Sequence, residues 1–291
     1  MQIARAGETN LLRAPFGTAI LGVMPQTSEP IARPATNPDA AEAVRRKVGA
    51  VMAASARIPP ARLVARVHGG GDAAAFEKAG RAAALDIFAA VDDRISLEHR
   101  LRILDFGCGC ARVLRFMAEL APRARLHGAD TDGEAISWCL ASYPHEVRRA
   151  RFAFARTGDL PPLPYRSDSF DLVYGMSAFM RLPEDMQLKW LAELRRVAKP
   201  DGLLVLATRD DGAIRGELGP EDLRALDARG LHHRPGGGAG APAERGGSAW
   251  LSRSYIDRVW SRYFHIAAHV PAGAPERGNL VVAVKRRPEA L

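Results

Sequence analysis

Long apolar runs are missing from this sequence. Nothing approaches the roughly 20 consecutive apolar residues that a membrane-spanning helix needs, which points away from a membrane protein. Cysteine is nearly absent as well. Cys108, Cys110 and Cys139 are too few for the disulfide framework of a small secreted domain. The C-x-C pair has no second Cys/His cluster beside it, and tetrahedral zinc wants about four protein ligands, so no metal is expected. Lysine is scarce, at five residues, although the formal charge is +8. Arginine carries the excess and is spread along the whole chain, a pattern that reads as solvated surface. With aromatics at 7% there is also little material for stacking bases, so a nucleic-acid partner is not expected. The N-terminal "MQIARAGETNLLRAPFG" breaks any apolar core with charges and a proline, unlike a secretory signal. These lacks together point to a soluble, cytoplasmic protein.

What is present is a chain of 291 residues, 47% of them apolar, enough for one large domain with extensions. "MPQTSEPIARPATNPDA" (24–40) cannot bury much, and residues 1–60 read as an arm or linker. Over 61–100 a helical cover is expected. Its main helix, Asp72 to Val91, has Phe76, Ala79, Ala83, Ile87 and Phe88 at helical spacing and Asp72 as N-cap. From 101 to 291 strand-like and helix-like stretches alternate, which implies βαβ units in a mostly parallel sheet with helices on both faces. Residues 231–250, "LHHRPGGGAGAPAERGGSAW", have no hydrophobic period and read as a flexible insert over the site. The last two strands, "FHIAAHV" and "NLVVAVKR", are joined too tightly for a crossover helix and must form an antiparallel hairpin.

The stretch "LRILDFGCGCARVL" (101–114) runs from strand through glycines into helix, a geometry that turns backbone N–H groups toward a ligand. A dinucleotide fingerprint would need glycine or alanine at position 112, where Arg112 stands. The pattern is instead D-x-G-x-G-x-A: Asp105, Gly107, Gly109 and Ala111. An acid two residues ahead of the first glycine would repel a pyrophosphate but suits a ligand bearing an ammonium and a sulfonium. Asp130 ends the next strand, where paired ribose hydroxyls are held in folds of this kind, and Asp132 is placed to cap the following helix. Asp159 follows the third strand and can accept from an exocyclic amine, or can simply be a turn acid before two prolines. Tyr174, Gly175, Met176 and Ser177 close the fourth strand, at the end of the sheet where open α/β folds bind ligands.

Taken together, "ILDFGCGCARVL", "LHGADTD", "LPPLPYRSDSFDLVYGMSAFMRLPEDMQ" and "AELRRVAKPDGLLVLAT" resemble the class I S-adenosylmethionine-dependent methyltransferases, in particular the bacterial small-molecule type. The resemblance is dense over about 82–208. It implies a doubly wound, seven-stranded, mostly parallel α/β sheet of Rossmann-like methyltransferase type, closed by the C-terminal antiparallel hairpin. It also implies S-adenosyl-L-methionine as cofactor. On the family's pattern Gly107, Cys108 and Gly109 would approach the methionine part, beside Asp105. Asp130 and Thr131 would meet the ribose, and Asp159 with the backbone of Leu160 the adenine. Tyr174 and Gly175 would border the site. Two positions depart from the pattern: Ala111 replaces the usual third glycine, and Arg181 stands in "FMRLPED" where many relatives have histidine.

Methyl transfer from a sulfonium is an in-line displacement, so catalysis is mostly positioning, and a base is needed only for an acceptor that arrives protonated. Arginine cannot be that base. Tyr174 and Arg181 are the expected catalytic side chains: Tyr174 for its polar tip, Arg181 as a clamp for an anionic small-molecule acceptor. The competing readings are a surface Arg181 that pairs with Glu184 or Asp185, and a Tyr174 that simply packs. His127 reads as a core residue and His232 and His233 as solvated. The alternatives are other chemistry on the same cofactor such as a cyclisation, a non-catalytic scaffold, and an RNA or protein methyltransferase, against which "YGMS" stands in place of an N-P-P-Y-like tetrapeptide. A homodimer that orders the N-terminal arm is one arrangement the sequence allows.

Overall fold

The computed structural model describes residues 58–68, 70, 72–143, 148, 151–209, 218–236, 247–271, 273 and 278–287. The expected arm falls almost wholly outside them, as does the centre of the glycine-rich insert, 237–246. The chain enters through α1 (Ala61–His68) and α2 (Ala73–Val91). It then alternates through β1 (Arg102–Phe106), α3 (Leu114–Leu120), β2 (Arg125–Asp130), α4 (Gly133–Ser142) and β3 (Phe152–Arg156). β4 (Phe170–Gly175), α5 (Glu184–Val197) and β5 (Ala198–Thr208) follow. Next come α6 (Pro220–Arg229), β6 (Leu231–Arg234), β7 (Ser248–Leu251) and α7 (Arg253–Val259), which runs on into a 3₁₀ turn (Trp260–Arg262). β8 (His265–Pro271) and β9 (Asn279–Val284) complete the element order.

The seven-stranded sheet has the order β3-β2-β1-β4-β5-β9-β8. β1 lies between β2 and β4 with parallel pairing on both sides, Ile103 standing opposite Leu126 and Leu172. β9 runs antiparallel between β5 and β8, so the expected C-terminal hairpin is present. Every central strand is apolar on both faces, because both are covered. Ile103, Leu172, Leu203 and Val282 point to a core shared with α2 and α3, while Leu104, Val173, Leu204 and Val281 point to one shared with α5 and α7. Burying each such side chain contributes roughly 1.5–3 kcal/mol.

Helix α2 begins where its sequence says it should, with Asp72 accepting from the Ala75 amide at 2.7 Å. It is no cover, however. Ala83, Ala84, Ile87, Ala90 and Val91 are buried against α3 and the sheet, so this helix is a core layer. The segment that reaches the ligand end of the sheet is the shorter α1. The insert also differs from a featureless loop: Leu231–Arg234 and Ser248–Leu251 pair as an antiparallel ribbon, with His232 opposite Trp250. Among the described residues no helix is long and apolar enough to cross a membrane.

Gly80, midway along α2, is required by a close approach. A β-carbon there would overlap the Arg112 carbonyl oxygen and lie 3.0 Å from the Phe116 ring. Alanine would gain about 1 kcal/mol of helix propensity, but the overlap is with backbone, and forcing α2 off the loop costs roughly 1–3 kcal/mol. Gly80→Ala is therefore expected to lower the urea midpoint despite its better propensity. An unchanged or raised midpoint would show that α2 does not pack this closely on the loop.

Candidate active site

A cleft of about 780 Å³ opens at the carboxyl ends of β1, β2 and β4. That size lies within the roughly 300–1,000 Å³ of small-molecule sites. One wall is the loop after β1. The Gly107 and Cys108 amides donate to the Ala129 carbonyl at 2.8 and 3.2 Å, which ties the loop to the end of β2. Gly107, Gly109 and Ala111 all have positive φ, at 78°, 51° and 58°. At Gly109 a β-carbon would stand 2.8 Å from the Val67 side chain of α1. Ala111 holds the left-handed region with a side chain, at a cost of roughly 1–2 kcal/mol.

Asp130 fastens this loop. Its carboxylate accepts from the Gly109 amide and from the Asp132 amide, each at 2.7 Å. A carboxylate has about four lone-pair sites, so it keeps acceptor capacity for a vicinal diol. Burial pushes Asp130 upward in pKa, against the pull of the Asp132, Gly109 and Thr131 amides. Asp132 caps α4, accepting from the Glu134 and Ala135 amides at 3.0 and 3.2 Å. Burial would raise Asp132, but the Arg66 guanidinium and the α4 amides hold it below the ordinary carboxylate value. Arg66 reaches Asp132 at 2.6 Å and Glu134 at 2.8 Å, and Arg62 reaches Glu134 at 2.5 Å, so α1 is pinned over the start of α4.

Asp105 lies at the floor of the cleft and is 3% exposed. Burial raises its pKa to about 8, with the Tyr174 hydroxyl opposing and the Asp130 charge adding to the rise. Among the described residues neither its Oδ2 nor the Tyr174 hydroxyl completes a hydrogen bond. Arg112 also lines the cleft. Its Nε is buried without a partner, and burial depresses its pKa, with Asp105 pulling up and Arg181 pushing down.

The opposite wall runs from Met176 to Trp190 and carries Ser177, Ala178, Arg181, Leu182 and Met186. Arg181 makes no ion pair among the described residues. The acids expected to compete for it are engaged elsewhere: Glu184 accepts from Tyr255 at 2.7 Å and lies 3.3 Å from Arg229, and Asp185 lies 3.2 Å from Lys189. The β6–β7 ribbon supports this wall, with the Ala249 amide on the Met180 carbonyl at 2.8 Å and His233 Nε2 3.2 Å from the Arg181 carbonyl.

Of the residues expected at the site, Asp105, Gly107, Cys108, Gly109, Asp130, Thr131, Asp159 and Arg181 all line this one cleft. Three do not. Tyr174 is fully buried in the core beneath α2 and α3, which corrects its expected place against a reacting group. Gly175 is walled off by the Phe106 carbonyl and Leu206. Leu160 is half exposed and outside the lining. His127 is buried, its pKa lowered to about 4 by burial and by Arg102 and Arg125. Arg62, Arg66, Arg156 and Trp190 join the lining without having been singled out from the sequence. Nothing in their spacing marks them.

Residues 103–202 match the family model described as a methyltransferase domain. Malonyl-[acyl-carrier protein] O-methyltransferase of Halorhodospira halophila is 33% identical over 128 residues, 44% of this chain and 38% of that protein. Trans-aconitate 2-methyltransferase of Mycobacterium marinum is 25% identical over 204 residues, 67% of this chain and 72% of that protein. The chain spans less than half the length of the first three curated relatives it matches. Among solved structures, 1,6-didemethyltoxoflavin-N1-methyltransferase of Burkholderia thailandensis, with its substrate and S-adenosylhomocysteine bound, superposes with a TM-score of 0.53. It has 17% identity, over 89% of this chain and 94% of that one, and shares the fold.

Proposed function

We propose that this chain is a class I S-adenosylmethionine-dependent methyltransferase and transfers the methyl group of that cofactor to an oxygen or nitrogen of a small, anionic acceptor. The observation that carries the reading is the Asp130 carboxylate. It fastens the glycine loop and keeps acceptor capacity at the end of β2, where a ribose diol is held in this fold. The buried Oδ2 of Asp105, without a hydrogen-bond partner among the described residues, fits a cationic ligand group beside it.

When bound, S-adenosylmethionine supplies an electrophilic methyl on a sulfonium. The chain's own residues do the rest. Asp130 and Thr131 take the ribose, Asp159 the adenine edge, and Gly107, Cys108 and Gly109 border the methionine part. Asp105, once ionised, balances the ligand's positive charge. Arg181 holds the acceptor's anion against the other wall, so the work is orientation and exclusion of water. Tyr174 packs under Asp105, with its hydroxyl favouring the ionised carboxylate.

The test is to incubate the protein with methyl-labelled S-adenosylmethionine and a panel of small acids, phenols and amines, following label transfer and the demethylated product. Label moved to an acceptor in step with that product is the expected result. A protein that binds neither S-adenosylmethionine nor its demethylated product would sink the reading.

A further inference from the structure

We infer that the atom methylated is a carboxylate oxygen, and that the acceptor is a small organic acid whose carboxylate is held against Arg181. This rests on the function proposed above and names its substrate class. The two walls of the cleft differ in chemistry. The acids of the cleft, Asp105, Asp130, Asp132 and Asp159, all belong to the side built on β1, β2 and β3. The acceptor side, Met176 to Trp190, contributes one titratable side chain to the described lining, Arg181, and arginine stays protonated. The other side chains of that wall are thioether, methyl, hydroxyl, branched apolar or indole groups. None can take a proton near neutrality.

An alcohol, a phenol or an ammonium must lose a proton during methylation, and among the described residues of this wall no side chain takes it. A carboxylate, with a pKa near 4, arrives already deprotonated. Arg181 supplies what such an acceptor does need. Its guanidinium is unpaired among the described residues, and its backbone is fixed by the β6–β7 ribbon through Met180 and His233. Arg112 faces the same cleft and repels Arg181, so an anion between the walls relieves both. The guanidinium fork matches carboxylate geometry.

The step balances without a base. A carboxylate lone pair forms the new O–C bond, the C–S bond breaks, and its electron pair stays on sulfur. The negative charge of the acid and the positive charge of the sulfonium cancel. The products are a neutral methyl ester and a neutral thioether, and no proton is released.

Two measurements test this. In the first, the protein turns over methyl-labelled S-adenosylmethionine with short mono-, di- and tricarboxylic acids and with matched phenols and amines. The acids are expected to yield label that mild alkali converts to methanol. Unbuffered solution should show no proton release, and with saturating cofactor the rate should stay flat from about pH 6 to 9, well above a carboxylate pKa. In the second, binding of the same acids to protein loaded with the demethylated product is followed calorimetrically. Arg181→Met is expected to weaken acid binding roughly 10- to 100-fold, the scale of losing a charged pair, with Arg181→Lys intermediate and affinity for the demethylated product unchanged in both. Label that resists alkali, one proton released per turnover, or no acid bound or esterified while the wild type still binds the demethylated product would each overturn the inference. A wild type that binds no cofactor at all instead removes the reading beneath it.

Discussion

Asp130→Ala is expected to abolish measurable binding of S-adenosylmethionine. The side chain holds two backbone amides, those of Gly109 and Asp132, each at 2.7 Å. Hydrogen bonds to a charged group contribute about 1.5–3 kcal/mol each. Losing both unfastens the glycine loop from the start of α4 before any ligand contact is counted. Two bonds of that strength correspond to a fall in affinity of roughly two to four orders of magnitude if the loop must be re-formed on binding. Asp130→Asn keeps one acceptor oxygen and should lie between the two. Titration calorimetry on the three proteins gives the order directly, and thermal melts separate loss of the site from loss of the fold. Near-wild-type affinity in Asp130→Ala would mean that neither the loop nor the ligand depends on this carboxylate.

The second large effect concerns Asp105, and it runs in opposite directions for stability and for binding. Its folded pKa is about 8, raised by burial, against about 3.8 for an ordinary aspartate. Between those values the folded chain holds a proton that the unfolded chain has lost. The stabilisation linked to Asp105 is therefore complete below about pH 4 and is lost as pH rises toward 8. Asp105→Asn removes that linkage while keeping the shape. Its melting temperature should exceed that of the wild type, by a margin that widens from pH 5 to pH 8. A cationic ligand favours the ionised carboxylate, so wild-type affinity for S-adenosylmethionine should rise with pH, by at most about tenfold per unit, and level off above pH 8. Asp105→Asn should bind weakly and without that slope. Parallel melting curves for the two proteins at pH 5 and pH 8 would show that Asp105 is not the protonated group.

Much of this architecture is legible in the residues. Each strand of the parallel sheet is a short apolar run, and Asp72 and Asp132 each announce a helix by the cap they provide. The short link before Asn279 leaves no room for a crossover helix and so fixes an antiparallel hairpin. Other parts were not legible, for physical reasons. Tyr174 sits on a strand buried on both faces, and such a strand carries no alternation to say which way a side chain points. The sequence locates that tyrosine at the ligand end of the sheet, whereas packing turns it into the core. Helix α6 buries only Leu226, too little apolar periodicity to stand out from a loop. The β6–β7 strands are four residues each, and their partner lies across a glycine-rich stretch, so neither carries a signal alone. The α1 arginines become site residues only because α4 presents Asp132 and Glu134 to them, and no local spacing encodes that meeting.

The division of the cleft into two walls from separate stretches of chain has an evolutionary meaning. Fastening and charge balance on one side come from residues 105–133 and 156–159, and the other side comes from 176–190 with the β6–β7 ribbon behind it. The walls meet where the Trp190 indole donates to the Asp159 carbonyl at 3.2 Å and where Ala178 approaches Gly107, and substitutions away from such contacts tend to add independently. Drift at Met176, Ser177, Leu182 or Met186 can thus reshape what is accepted without loosening Asp130 or the glycine loop. A lineage built on this scaffold would change acceptors through one contiguous segment, while the half built on Asp130 and the glycine loop stays under its own constraint.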